Sequence, residues 1–396
     1  MILSNRQKAK HGRSAQESLS KFLDHCKEKN YIQDYKEGYK TGKPGFINQK
    51  QFSAPFLITF NTGEKWILFC TTSVRSDRIK GQQWDAFNIK RDVPSIKKAY
   101  IVIYPERDAS SDYNAAENIT QGIVNGATYS AIDGVIAEPT LHSFIEQVAM
   151  STLSRGQVTD LQGRNFEDLI AMILSNKDNL TKYLTNDKTI TGMHYSYFHD
   201  IISSLKINPL PIKYIEATAD KKKIGRLPSG GAPKTDVLVT IYTTNNLYQT
   251  ITISCKRSSK DSVSVHEYSA DSFSAVLDPN NQSLKKLLCE FQDNPSLSAF
   301  GAENIHHLTV ALEPYLNKLT KWVLAGIGGA GNPEIQWATH ILTYDNNNDH
   351  ISFHTVAEYI DSLKLNHIEG HFGTFFTWTY PSKQRGRRIQ LKCKIM

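Results

Sequence analysis

The sequence predicts an α/β protein, with a central mixed sheet flanked by helices and a second, smaller α/β domain in front of it. Three observations carry this. Residues 237–242 and 248–253 are β-branched, alternating runs on either side of Thr243-Thr244-Asn245-Asn246, the pattern of a hairpin. A second hairpin pattern lies in the first third: Phe56–Phe60 and Lys65–Cys70 flank Asn61-Thr62-Gly63, and a strand follows from Ala99 to Tyr104. Stripes of helical period surround both, with Leu19, Phe22 and Leu23, then Phe166, Leu169, Ile170, Ile173 and Leu174, then Leu308 through Val323. A length of 396 residues suits two domains, which we place at 1–150 and 151–396.

Composition narrows the class. Hydrophobic residues make up 40% and charged residues 21%, enough apolar mass for ordinary globular cores. A formal net charge of +7 permits nucleic-acid binding. Cys26, Cys70, Cys255, Cys289 and Cys393 are scattered, odd in number and never spaced C-x-x-C. That excludes a zinc knuckle or disulfide framework and fits a reducing compartment. The first residues lack the apolar core of a signal peptide, and no run reaches the ~18 apolar residues a membrane span needs. A cytoplasmic protein is expected.

In chain order, Ser14 suits an N-cap with Glu17 three residues on, and a helix to Cys26 follows. A polar, glycine-rich loop through Gly38, Gly42 and Gly45 leads to the first hairpin. Arg75, Arg78 and Lys80 with Gln82, Gln83 and Trp84 read either as a DNA-facing cluster or as a solvated helix start anchored by Trp84. Residues 107–130 read as loop or short helix, and a helix over 141–153 closes the first domain. Asp160 is a candidate cap for the next helix, where Glu167 sits beside Phe166 at the edge of the apolar stripe, with Arg164 three residues before it. Gly326-Ile327-Gly328-Gly329-Ala330-Gly331 matches G-x-G-x-x-G, but a helix precedes it and Asn332-Pro333 follow. It reads as a helix-terminating loop, not a dinucleotide site. Near the end, Trp378, Tyr380, Ile389 and Leu391 alternate as in a strand among six basic residues from Lys383 to Lys394.

The chemistry concentrates in 229–259. A small-residue loop, Ser229-Gly230-Gly231-Ala232-Pro233, leads through Lys234-Thr235 to Asp236 at the start of one strand; Lys256 ends its neighbour. Antiparallel pairing brings the two side chains together. A carboxylate can hold Mg²⁺ and a lysine can orient and polarise a water, which is the requirement for cutting a phosphodiester. This is the layout of the PD-(D/E)XK nucleases. Alone it also matches an exposed hairpin with a surface acid and a surface lysine. The first domain repeats the order of elements, but neither a metal acid near Ala54-Pro55 nor a lysine near Cys70-Thr71 is present. It reads as a nuclease-like module without its metal site.

Further motifs sharpen the reading. Gly230–Asp236, Lys256 with Ser258-Ser259-Lys260, Val263–Tyr268, Leu312-Glu313-Pro314-Tyr315, Trp322, Gly373-Thr374, Trp378-Thr379-Tyr380 and Gln390-Leu391-Lys392 occur in one order. On these, residues 155–396 resemble the MspI family of type II restriction endonucleases. The resemblance implies a restriction-endonuclease-like sheet and Mg²⁺-dependent cleavage of double-stranded DNA at CCGG, with a cognate DNA methyltransferase as functional partner. It implies Asp236 as metal ligand and Lys256 as catalytic lysine, and the ion's further support is expected from Glu167, the Cys255 carbonyl or water. Ser254 stands where most such nucleases carry an acid and this family an asparagine. Ser258, Ser259 and Lys260 are expected on the DNA backbone, and Ser264, Thr379, Ser382, Gln390 and Lys392 on base edges. The rival reading is a DNA-binding protein that no longer cuts.

Overall fold

The computed structural model describes residues 4–41, 51–72, 75–104, 110–127, 129–151, 155–207, 212–258, 260–347, 350–381 and 383–395. Two compact units emerge: Met1–Asn165 with Asn176–Ser203, and Phe166–Ser175 with Ser204–Met396. The division is thus not a single cut near residue 150. Residues 176–203 return to the first unit because they are bonded into it. The His194 amide donates to Glu138 at 2.9 Å, the Tyr197 hydroxyl to the Pro139 carbonyl at 3.4 Å, and the Thr191 amide to the Ser14 hydroxyl at 2.9 Å.

The first unit is built on a five-stranded sheet in the order β1 (Asp34–Thr41), β2 (Phe52–Thr59), β3 (Lys65–Thr71), β4 (Ile96–Ile103), β5 (Gly134–Ala137). The first three strands run antiparallel, and β3, β4 and β5 are parallel. Its inner face is apolar: Ile67, Phe69, Ile101 and Ile103 pack with Ile79, Ala86 and Ile89 of the helix Ser76–Asp92. Three local expectations change. The opening helix runs Asn5–Glu28 and is capped by Ser4, whose hydroxyl and the side chain of Gln7 form a capping box. β1 replaces the first part of the expected loop. As an edge strand it is largely exposed, so it lacks the apolar alternation that marks an inner strand. Residues 110–125 are a full helix.

The second unit repeats the plan over four strands and differs in the fifth, which runs antiparallel to its neighbour. Its main sheet has the order β11 (His350–Thr355), β10 (His340–Asp345), β8 (Tyr248–Ser258), β7 (Val237–Thr243), β6 (Ile212–Thr218). β6, β7 and β8 are antiparallel neighbours, and β10 lies parallel to β8. Val237, Val239 and Ile241 turn to one side and are buried, as the alternation predicts. A separate three-stranded sheet has the order β12 (Thr377–Thr379), β13 (Ile389–Lys394), β9 (Ser262–Tyr268). Trp378 at its back meets Phe273, Phe372 and Phe291 at 5.4, 5.3 and 5.8 Å between centroids, a rigid aromatic support. The helical stripe from Leu308 through Val323 falls on two helices, Ala302–Leu312 and Leu316–Ala325, divided at Pro314. Gly326 ends the second in the left-handed region at φ 78°, so the glycine-rich motif is a helix terminator. The helix Arg155–Leu174 starts before Asp160, so Asp160 is not its cap, and the second half of that helix carries Glu167 into the second unit.

Candidate active site

Asp236 stands one residue before β7, and its amide donates to the Ile253 carbonyl of β8 at 2.8 Å. The loop before it turns at Gly230, whose φ of 80° favours glycine. β8 then presents Ser254, Cys255 and Lys256 beside the carboxylate. Oxygen Oδ2 of Asp236 accepts from the Cys255 amide at 2.9 Å, from the Ser254 hydroxyl at 3.3 Å and from the Lys256 ammonium at 3.4 Å. Lys256 Nζ also donates to Ser254 Oγ at 2.8 Å and to the Cys255 carbonyl at 2.9 Å. Its three protons therefore have three acceptors, and the head group is fixed. Ser254 is fully buried. It accepts from Lys256 and donates to Asp236, linking the pair.

Glu167 joins from the helix Arg155–Leu174, but its partner is not Arg164. Lys221 Nζ lies 2.7 Å from Glu167 Oε2 and 3.7 Å from Asp236 Oδ1. Burial, then the charge of Asp236, pushes the Glu167 carboxyl up to about 7, with Lys221 opposing. Burial acts to lower the Lys221 pKa, but Asp236 and Glu167 outweigh it and raise it. Lys234, two residues before Asp236, donates to the Val265 carbonyl, and burial followed by the Lys256 charge lowers its pKa to about 7. Sequence reasoning assigned no part to Lys221 or Lys234. The run Lys221-Lys222-Lys223 after Asp220 was the available signal for the first.

The donor set suits Mg²⁺, which takes one or two carboxylates and completes its octahedron with water and phosphate oxygens. Asp236 and Glu167 offer two hard oxygen donors close enough to share one ammonium. Among the described residues no group of three or more His, Cys, Asp or Glu side chains forms a metal cluster.

A cleft of about 690 Å³ holds Asp236 and Lys256 together with Ser264, Glu267 and Arg388. Ser264 belongs to the small sheet, where pairing sets it opposite Lys392, and sets Gln390 opposite both Thr379 and Glu267. Directly opposed residues share a face, so Ser264, Thr379, Gln390 and Lys392 form one row, with Leu391 and Ile389 on the buried side. The row survives a bulge. Leu391 pairs with His266 but Lys392 with Ser264, which leaves Val265 unpaired and both Val265 and His266 buried. Glu267 takes part in the row and pairs with Arg388 at 3.7 Å. Ser258 and Lys260 are placed elsewhere. Ser258 closes the β8–β9 turn, accepting from the Lys260 amide at 2.9 Å and donating to the Ser262 carbonyl at 3.3 Å, and Lys260 lines a separate hollow of about 320 Å³. Ser259 and Ser382 lie outside the described residues.

A mixed sheet with an acid ahead of one strand and a lysine on its antiparallel neighbour is the arrangement of the restriction-endonuclease-like nucleases. The family model "Restriction endonuclease MspI" matches residues 141–393. The type II restriction enzyme BsuFI of Bacillus subtilis is 30% identical over 99% of this chain and 99% of its own. The type II restriction enzyme MspI of Moraxella sp. is 26% identical over 60% of this chain and 91% of its own. The crystal structure of MspI in complex with its cognate DNA shares the fold, with a TM-score of 0.54 at 22% identity over 64% of this chain and 98% of that one. The chain belongs to the MspI restriction endonuclease family and is a type II site-specific deoxyribonuclease. Among the described residues no helix is long and apolar enough to cross a membrane.

Proposed function

We propose that this enzyme hydrolyses double-stranded DNA at CCGG with Mg²⁺, in a cell whose cognate methyltransferase protects the same sequence. The observation that carries the reading is the cleft that the Asp236–Lys256 pair shares with Ser264 and Glu267 of the row. Asp236 and Glu167 would hold the ion. Bound there, it supplies Lewis-acid stabilisation of the charge developing on the phosphate. Lys256 orients the attacking water, exchanging its longest contact, 3.4 Å to Asp236, for that water. Ser254 keeps the ammonium aimed and is a positioning residue, not a third ligand, because its oxygen is buried between the other two groups.

For sequence choice, Lys392 suits guanine O6 and N7, and Glu267 suits the amino group of cytosine, both in the major groove. Thr379, Gln390 and Ser264 add donors along the same row. These types support a G·C target. The first unit supplies further DNA contact through the helix Ser76–Asp92. There Trp84 is 61% exposed and stacks on Phe87 at 6.1 Å, so it is a surface ring and not a core anchor. The cysteines described are all free, which supports a cytoplasmic site of action.

The test is digestion of a plasmid with Mg²⁺ and mapping of the ends. Ends at CCGG, lost in Asp236→Ala, are expected. Full activity in Asp236→Ala overturns the site, ends elsewhere overturn the specificity, and specific binding without any cleavage returns the non-cutting alternative.

A further inference from the structure

Asp236 has two carboxylate oxygens in unlike situations. Oδ2 is held by three donors from β8, namely the Cys255 amide, Ser254 and Lys256. Oδ1 lies on the other side of the carboxyl, 3.7 Å from the Lys221 ammonium. The same ammonium sits at 2.7 Å on Glu167 Oε2. One positive charge therefore covers the two oxygens that are the site's free ligands. Lys221 differs from Lys256 in its freedom. Its side chain is 48% exposed, against 16% for Lys256, and it rises from a four-residue helical turn, Lys221–Ile224, capped by Asp220. It can leave for solvent without disturbing the sheet, which Lys256 cannot.

We propose that Lys221 is a resident counter-cation of the metal site. Its ammonium occupies the place between Asp236 and Glu167 that a divalent ion takes, and it must be displaced for the ion to bind. This rests on the reading of Asp236 and Glu167 as the ligand pair. The consequence is a site that binds divalent ions weakly in the free protein. Two neighbouring, half-buried carboxylates repel each other strongly when uncompensated. Lys221 relieves that repulsion in the free protein at the cost of competing with the ion. It is a positioning residue that touches the ligands and not the reacting atoms.

Calcium binding to the full chain, without DNA and at about pH 8.5 so that Glu167 is ionised, separates this role from others. Measured by titration calorimetry, Lys221→Met is expected to bind Ca²⁺ at least about fivefold more tightly than wild type, the equivalent of one partly exposed ion pair. Lys223→Met removes the same charge from the same exposed turn, without contact to either carboxylate, and is expected to change affinity less than twofold. Lys221→Arg keeps a cation in place and is expected to bind no more tightly than wild type. Lys221→Gln repeats the comparison if the methionine variant is poorly folded by circular dichroism. Affinity in Lys221→Met that is unchanged, weaker, or matched by Lys223→Met overturns the proposal. Asp236→Asn serves as the reference for the ligand reading. If it binds Ca²⁺ as wild type does, the ligand assignment has failed. If it loses binding while Lys221→Met equals Lys223→Met, only the counter-cation role has failed.

Discussion

Replacing Glu167 with glutamine should stabilise the metal-free protein increasingly as pH rises above about 4.5, with the full gain above about 7. The folded protein raises this carboxyl from 4.5 to about 7, mainly by burial and by the neighbouring Asp236 charge. A carboxyl with a raised folded pKa binds its proton more tightly in the folded state. Folding stability is therefore undiminished below about 4.5, falls as pH rises through the interval, and levels off above about 7. At about 1.4 kcal/mol per unit the full loss is about 3 kcal/mol. The Glu167 side chain is only 15% exposed, so solvent screening leaves most of it in place. Glutamine has no ionisation to suffer and still accepts from Lys221. Thermal unfolding of both proteins in chelator, from about pH 5 to about pH 9, reads the difference directly, because all other titrating groups are common to both. The gap in melting temperature should be small at pH 5 and widen to several degrees at pH 9, with glutamine the higher. A gap that stays constant across the range would refute the assignment of a strained, ionised Glu167. Saturating Ca²⁺ should close the gap at pH 9, by stabilising wild type alone.

Further outcomes are expected at the other groups. Lys256→Met should lower single-turnover cleavage at least about a hundredfold while DNA affinity in Ca²⁺ changes little, since a fixed donor at the reacting centre is lost; a proportional loss of binding would point to a purely structural lysine. Ser254→Ala should lower the same rate about tenfold, the worth of one or two hydrogen bonds to charged groups, without shifting the ion affinity; a large loss of Ca²⁺ binding would make Ser254 a ligand. Lys392→Ala should cost about 1–3 kcal/mol of discrimination and relax the target at one base pair, read by cleavage of a library of single-mismatch sites. Trp84→Ala should weaken DNA binding several-fold and leave the mapped ends unchanged, as gel-shift and digestion together report.

Much of this was legible because the residues concerned obey one period. Val237, Val239 and Ile241 alternate, and so Asp236 and Lys256 could be put on adjoining strand ends from spacing alone. The helix bearing Glu167 shows an apolar stripe, and the carboxylate sits at its edge. What escaped has physical reasons. β1 is an edge strand exposed on most of its length, and hydrophobic patterning is silent about such strands. The first helix begins ten residues early, because its first turns are polar and only a cap at Ser4 announces them. Lys221 reaches Glu167 across 54 residues of sequence, a contact made by folding and not by a motif. The part of Ser258 in the turn between β8 and β9, where its hydroxyl bonds the Lys260 amide and the Ser262 carbonyl, also has no sequence signature. Residues 176–203 follow the helix of the second unit in sequence yet belong to the first, and no shift of composition marks the crossing.

The bulge at Val265 uncouples two kinds of spacing. Ser264 and Glu267 stand three residues apart in the chain, but opposite Lys392 and Gln390 they stand where residues two apart would be. Along a strand two residues advance about 7 Å, close to two base steps of a duplex. A homologue with one residue fewer at this point would carry the same reading row and show only a gap in an alignment. One residue gained or lost anywhere else in β9 would turn half of the row into the core. In this sheet a deletion within the bulge keeps the row in register, while a deletion elsewhere in β9 turns part of it inward.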